Sequence, residues 1–252
     1  LWAPLFNSGD YINQTYKNKT VIITGGSAGI GAACARLFHK KGANIVLIAR
    51  NQDGLDKMQL ELDKDRILTI ATDISNTQRY KEILESVNKI FGSIDILINN
   101  AGLHYRGDIQ HLSPDDVANM VDVNLKAPIS FSCCVLPYLK KSSSASIIMV
   151  GSLAGRAPLQ GAATYSATKA GLRAFAYAIG DELRDININV GIVSPGPVST
   201  GFIMNNIDDV EDIVFSQPMS TPEEVANAIL MLVSNGGEIC LPKVSGFLTT
   251  IS

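Results

Sequence analysis

The stretch Thr20-Val21-Ile22-Ile23-Thr24-Gly25-Gly26-Ser27-Ala28-Gly29-Ile30-Gly31 holds, in order, a short apolar β-branched run, a glycine-rich turn and the opening of a helical pattern. Val21-Ile22-Ile23 shows no polar alternation, so both of its faces should be buried, as in a parallel sheet covered by helices on each side. The glycines let the backbone turn tightly with no Cβ in the way. The helix that follows aims unpaired N–H groups and the positive end of its dipole at the turn, where a pyrophosphate can sit. The spacing is G-x-x-x-G-x-G, not the G-x-G-x-x-G of the common dinucleotide fingerprint. Such a turn can be only a turn; its place in the first strand–helix unit is what points to a nucleotide. The candidate contacts are Thr24, Gly25, Ser27, Gly29, Ile30 and Gly31.

Working outward, strand and helix alternate along the chain. Thr20–Thr24, Asn44–Ala49, Ile67–Thr72, Ile94–Asn99, Ser146–Gly151 and Asn189–Ser194 are short β-rich runs, and a weaker seventh begins at Glu238. Helical periodicity fills Gly31–Lys41, Thr77–Phe91, Asp115–Leu139, Thr164–Asp185 and Pro222–Ser234. Ser113-Pro114-Asp115-Asp116 and Thr221-Pro222-Glu223-Glu224 are helix starts, each with a capping hydroxyl, a first-position proline and acids against the dipole. Glu224 adds the reciprocal half of a capping box. The pattern predicts an α/β fold, a single Rossmann-type doubly wound parallel sheet of six to seven strands with helices on both faces. With no repeat or linker, residues 18–252 read as one domain behind an N-terminal extension, 1–17, of unknown role.

Composition excludes several function classes. A net charge of −3 implies neither nucleic acid nor an anionic membrane as partner. The charged fraction of 18%, against roughly 25% in an average domain, fits much buried surface, including a subunit interface. Four scattered cysteines without a C-x-x-C, and three histidines without ligand spacing, give no metal site and no disulfide framework. They read as reduced thiols of an intracellular, cytoplasmic protein. No apolar run reaches the ~18 residues of a membrane span. The first residue is Leu rather than Met, so the chain reads as a fragment or processed form, with room for an anchor ahead of it.

The second strand ends in Ile48-Ala49-Arg50, where an NAD enzyme usually carries an acid for the ribose 2′-hydroxyl. A guanidinium can instead grip a 2′-phosphate, which favours NADP(H), though Arg50 also reads as an ordinary surface arginine. Asp73, followed by Ile74 after the third strand, suits either the adenine amino group or a helix entry. Asn99-Asn100-Ala101-Gly102 follows the fourth strand, placing Asn100, Ala101 and Gly102 where a loop can be fixed against a cofactor. The fifth strand ends in Gly151-Ser152, and the helix after it carries Tyr165 and Lys169, four apart and so on one face. A nearby ammonium stabilises phenolate and brings a tyrosine, ordinarily near pKa 10, toward the working range. Tyr165 can then act as general acid and base while Ser152 holds the reacting oxygen.

These residues resemble the short-chain dehydrogenase/reductase family, in the branch with chains near this length, over about residues 18 to 240. The motifs that match are Thr24–Gly31, Asn99–Gly102, Ser152 thirteen residues before the tyrosine, and Tyr165-Ser166-Ala167-Thr168-Lys169. The resemblance implies that Asn124 is a fourth catalytic residue, anchoring a water in a proton relay, and that Lys169 also holds the nicotinamide ribose. It implies that Pro195-Gly196-Pro197-Val198-Ser199-Thr200 meets the nicotinamide carboxamide through Val198 and Thr200. A basic residue at Arg50 would again mean NADP(H). It further implies a homodimer or homotetramer through the helices around Leu112–Leu139 and Thr164–Asp185, where Cys133, Ala174, Ala176 and Ala178 suit close packing. The ending Cys240-Leu241-Pro242-Lys243-Val244 departs from the family's V-D-G-G type, which puts the last strand in doubt.

The expected reaction is NADP(H)-dependent reduction of a small, moderately apolar ketone or aldehyde. Gly201–Met219 would be a substrate lid, or equally a core-packed amphipathic segment, with His104 and Tyr105 at the mouth. Two alternatives stay open: an NAD-dependent alcohol or hydroxysteroid-type dehydrogenase, and a non-catalytic NADP(H)-binding sensor. A nucleotide-sugar epimerase fits the glycine spacing and length poorly.

Overall fold

The computed structural model describes residues 15–204 and 218–242. Residues 1–14 of the N-terminal extension and 205–217 of the candidate lid lie outside the described residues, as do 243–252.

Seven strands form one sheet: β1 (Thr20–Thr24), β2 (Asn44–Ala49), β3 (Ile67–Ala71), β4 (Ile96–Asn99), β5 (Ala145–Val150), β6 (Ile188–Pro195) and β7 (Gly237–Leu241). They lie in the order β3-β2-β1-β4-β5-β6-β7, and every adjacent pair is parallel. The chain winds one way from β1 and the other way from β4, so a crevice opens between the carboxyl ends of those two strands. The apolar run of β1 is buried on both sides as its sequence required. Val21 and Ile23 join one core with α1 (Gly29–Lys40), α2 (Gln52–Glu61) and the late helix Pro222–Asn235. Ile22 joins the other core with α3 (Tyr80–Phe91), α5 (Ala127–Leu139) and α6 (Ala163–Glu182).

Both sequence-marked helix starts form. The Ser113 hydroxyl accepts the Asp116 N–H at 3.0 Å to open α4 (Pro114–Val121). Past the short α7 (Gly201–Met204), Thr221 and Glu224 exchange both capping-box bonds, at 3.1 and 2.8 Å, at the start of α8 (Pro222–Asn235).

Three elements depart from the sequence reading. The long segment Asp115–Leu139 is not one α-helix: a turn of π-helix, Asp122–Lys126, separates α4 from α5. Pro128 has no N–H to give the carbonyl of Asn124, so the α ladder fails there, and Ala127 bonds back to Asp122 instead. Helix α2 carries a thin apolar signal, because only Leu55 and Met58 are buried; Asn51 caps it by accepting the Gly54 N–H at 3.0 Å. The doubtful last strand does form. β7 pairs with β6 from Gly191↔Gly237 to Pro195↔Leu241, Ile239 packs against the core, and Glu238 finds partners for its buried carboxylate.

Among the described residues no helix is long and apolar enough to cross a membrane, and no group of His, Cys, Asp or Glu is placed to hold a metal ion.

Candidate active site

The glycine turn is sewn to the end of β4. The Thr24 hydroxyl accepts the backbone N–H groups of Asn100 and Ala101, each at 3.0 Å, and the Asn100 amide donates to the carbonyls of Thr24 and Gly25 at 2.9 and 3.1 Å. A side chain has no room there. A Cβ on Gly31 would lie 2.3 Å from the Gly25 carbonyl oxygen, and Gly25, at φ +65°, would put one 2.9 Å from the Ala101 Cα. Beside this turn runs a groove of about 350 Å³, walled by Gly25, Ser27, Ile74 and Gly102 and ending at Arg50 and Asp73. A bare-backbone cradle at a helix start, continuing into a partly apolar groove that ends at a guanidinium, fits a dinucleotide.

Asp73 serves locally: its Oδ1 accepts both the N–H and the hydroxyl of Ser75 at 2.8 Å. Its other oxygen stands 3.8 Å from Arg50 Nη1, a loose pair with both side chains well exposed. The segment after β6 comes back over the turn. Gly196 donates to the Leu241 carbonyl at 2.6 Å, Thr200 donates to that of Val198 at 2.7 Å, and a Cβ on Gly29 would stand 3.1 Å from the Thr200 Cγ2. Pro195, Gly196, Val198 and Thr200 are thereby carried to the crevice by β6, with β7 as a brace. Ile30 packs its side chain against the core, so only its backbone is left for a ligand.

Ser152, Tyr165, Lys169 and Asn124 come together at the same end of the sheet. Lys169, fully inside the protein, donates to the Val150 carbonyl at 2.8 Å and places its Nζ 5.7 Å from the centre of the Tyr165 ring. Burial pulls the Lys169 ammonium down to about 8. Burial pushes the Tyr165 phenol up, while a hydrogen bond with Ser152 and the charge of Arg106 pull it back. Ser152 Oγ also accepts the Ala154 N–H at 3.1 Å. The turn after Ser152 is packed directly on α6: a Cβ on Gly155 would be 2.7 Å from the Lys169 carbonyl oxygen.

Asn124, on the π turn, is buried and clamps the loop after β4. It accepts the Leu103 N–H and donates to the Leu103 carbonyl, each at 2.7 Å, and its amide stands 3.3 Å from the Thr168 hydroxyl. Asn99 faces the core instead, donating to Ser132 Oγ at 3.0 Å.

Two neighbours of Tyr165 carry no motif. His104 lies flat on its ring, and Phe202 stands 6.5 Å away, centre to centre. Arg106 was not singled out in the sequence at all, because a lone arginine in a loop has no spacing to mark it.

Comparisons with known proteins bear on the family and the fold. A family model described as short chain dehydrogenase matches residues 19–211. An uncharacterized oxidoreductase of Staphylococcus saprophyticus is 35% identical over 220 residues, covering 84% of this chain and 89% of its own. The crystal structure of a short-chain dehydrogenase/reductase, glucose/ribitol dehydrogenase, from Brucella melitensis superposes with a TM-score of 0.84 at 29% identity, covering 91% of this chain and 97% of that one. A short-chain dehydrogenase/reductase of unknown function from Caenorhabditis elegans, solved with cofactor, gives 0.81 at 27% identity, covering 92% and 96%. The chain therefore belongs to the short-chain dehydrogenase family and is an oxidoreductase that works with a nicotinamide dinucleotide.

Proposed function

We propose that this chain reduces a ketone or aldehyde to the alcohol with NADP(H), Tyr165 giving the proton. The observation that carries the reading is the Tyr165 phenol itself, half-buried, hydrogen-bonded with Ser152 and backed by Lys169 Nζ 5.7 Å from its ring centre. Gly25, Ser27, Ala101 and Gly102 would hold the nucleotide along the groove, with Thr200 and Val198 at its nicotinamide end. The nicotinamide, when bound, supplies the hydride to the carbonyl carbon. Tyr165 donates its O–H proton to the carbonyl oxygen as charge develops there, and Ser152 holds that oxygen by a hydrogen bond. The Lys169 ammonium stabilises the phenolate left behind. Asn124 keeps the Leu103 backbone and the Tyr165–Lys169 turn in register through its bonds to both.

Arg50 at the end of β2, with Ala49 rather than an acid before it, supports the 2′-phosphate of NADP(H). A second reading, NAD(H), is favoured by Asp73, whose carboxylate 3.8 Å away offsets part of that charge. Exposed Ala174 and Ala178 on α6, with exposed Cys133 and Cys134 on α5, support a homo-oligomer built on these helices.

The test follows reduced-nucleotide absorbance with NADPH and NADH against aldehydes, ketones and dicarbonyls, for the wild type, Tyr165→Phe and Arg50→Ala. NADPH consumption lost in Tyr165→Phe, with the NADPH preference reduced about tenfold in Arg50→Ala, upholds the reading. Equal use of NADH by the wild type removes the 2′-phosphate argument, and undiminished turnover in Tyr165→Phe removes the mechanism.

A further inference from the structure

The loop Leu103–Gly107 enters the site from the end of β4 and is tied down along its length. Asn124 holds both backbone groups of Leu103, the Tyr105 N–H points at Met120 Sδ at 3.4 Å, and the Tyr105 phenol accepts the Asn119 amide at 3.1 Å. Gly107 donates to the Gly161 carbonyl at 3.0 Å, just ahead of α6. Between these ties the imidazole of His104 is laid on the Tyr165 ring, with centroids 4.1 Å apart and planes 13° off parallel.

His104 Nε2 is buried and, among the described residues, has no hydrogen-bond partner. Buried polar atoms are nearly always paired, so a rigidly held orphan beside the reacting phenol asks what completes it. Burial, with the charges of Arg106 and Lys169, lowers the imidazole to about 3, so the ring is neutral under working conditions. A neutral imidazole carries one donor and one acceptor, and it suits a neutral oxygen: a carbonyl or ester that accepts, or a hydroxyl that donates. Phe202, 6.4 Å from His104 and 6.5 Å from Tyr165, adds an apolar aromatic wall and no polar group.

We propose that His104 selects the substrate by hydrogen-bonding, through Nε2, a second oxygen close to the reacting carbonyl, so that the site favours oxo- or hydroxy-substituted carbonyl compounds over plain ketones of the same size. The inference rests on Tyr165 being the proton donor. The stack then makes Tyr165 and His104 two fixed points that hold two oxygens of one molecule. A site built to pair a substrate oxygen rejects the analogue lacking it far more strongly than an apolar pocket rejects a missing methylene.

The experiment measures kcat/KM with NADPH for hexane-2,3-dione and for hexan-2-one, in the wild type, His104→Phe and His104→Gln, with the Kd for NADPH measured alongside. Phenylalanine keeps a ring on Tyr165 and removes both nitrogens; glutamine keeps a donor and an acceptor and covers the case in which the phenylalanine variant folds poorly. The dione-to-ketone ratio is expected to fall at least about tenfold in His104→Phe and by less in His104→Gln, with NADPH affinity held within about threefold. An unchanged ratio overturns the proposal and leaves the Tyr165 reading standing, as does a loss that appears in NADPH affinity instead. Turnover of neither compound by the wild type withdraws the carbonyl-reductase reading, and the proposal with it.

Discussion

The imidazole of His104 and the phenol of Tyr165 lie stacked, 4.1 Å between ring centres, one from the loop after β4 and the other from the first turn of α6. The contact ties a loop with no motif to the residue with the strongest one. It also means that the Tyr165 ring is held by its faces, independently of its hydroxyl. Tyr165→Phe should therefore keep the fold, with a melting temperature within about 2 °C of wild type, because ring burial and stacking survive. Turnover should drop by about 10²- to 10⁴-fold, the usual contribution of a positioned acid–base group. Calorimetry and NADPH consumption on one preparation check both halves; a large loss of stability would show that the hydroxyl is structural.

Two glycines separate steric need from backbone conformation. A Cβ on Gly31 would lie 2.3 Å from the Gly25 carbonyl oxygen, whereas one on Gly92, at φ +79° after α3, would meet nothing within 4 Å among the described residues. Gly31→Ala should force the nucleotide turn open, weakening NADPH binding by tenfold or more and destabilising the chain by about 1–3 kcal/mol. Gly92→Ala should cost about 1 kcal/mol from its left-handed conformation, with nucleotide affinity untouched. Titration of NADPH against each variant, beside denaturant unfolding, distinguishes them.

Lys169 is a stability liability in the chain without nucleotide. Its pKa falls from 10.5 to about 8 because burial penalises the ammonium. The sign follows from proton counting: between those values the unfolded chain binds more protons, so wild-type stability rises with pH across that window. Below about pH 8 the penalty is present in full. Lys169→Met should then raise the melting temperature at pH 7 by about 3 °C or more, with the gain shrinking as pH approaches 10.5, while turnover is abolished. Melting curves at pH 7 and pH 10 are the check, and a destabilised variant at pH 7 would mean that the bond to the Val150 carbonyl outweighs burial of the charge.

Glu238 behaves in the opposite sense. Burial pushes its carboxyl up, but Arg173, Tyr177 and Ser194 hydrogen-bond it and, with the charge of Arg173, hold it at about 2. Arg156 adds a contact at 2.6 Å from the turn that follows Ser152. A depressed carboxylate stabilises the fold above its unfolded value, near 4.5, and the contribution is lost as pH falls through about 2. Glu238→Gln should cost about 2–4 kcal/mol at pH 7, by removing the buried carboxylate that Arg156 and Arg173 share, and the gap from wild type should narrow at pH 3. Denaturant unfolding at the two pH values tests this; a gap independent of pH would place the loss in packing rather than charge.

The strands were legible because their signal is local. Unbroken apolar runs such as Val21-Ile22-Ile23 and Ile45-Val46-Leu47-Ile48 have one good environment, a sheet covered on both faces, and both are fully buried there. The helix starts at Ser113 and Thr221 were legible because capping depends on neighbours in sequence. Helix α2 was not, since two apolar residues on an otherwise polar face give little periodicity. Nor was the π turn, where a missing N–H at Pro128 acts on a carbonyl four residues earlier.

The sequence by itself determined the alternation of strand and helix, the glycine turn, and the presence of Ser152, Tyr165 and Lys169, because each depends on residue type and short spacing. Only the tertiary structure decided that Asn124 clamps Leu103, that Glu238 gathers two arginines behind the site, and that His104 covers Tyr165. Those contacts join residues brought together by the sheet order and by helix packing, and no local pattern encodes a distance between them.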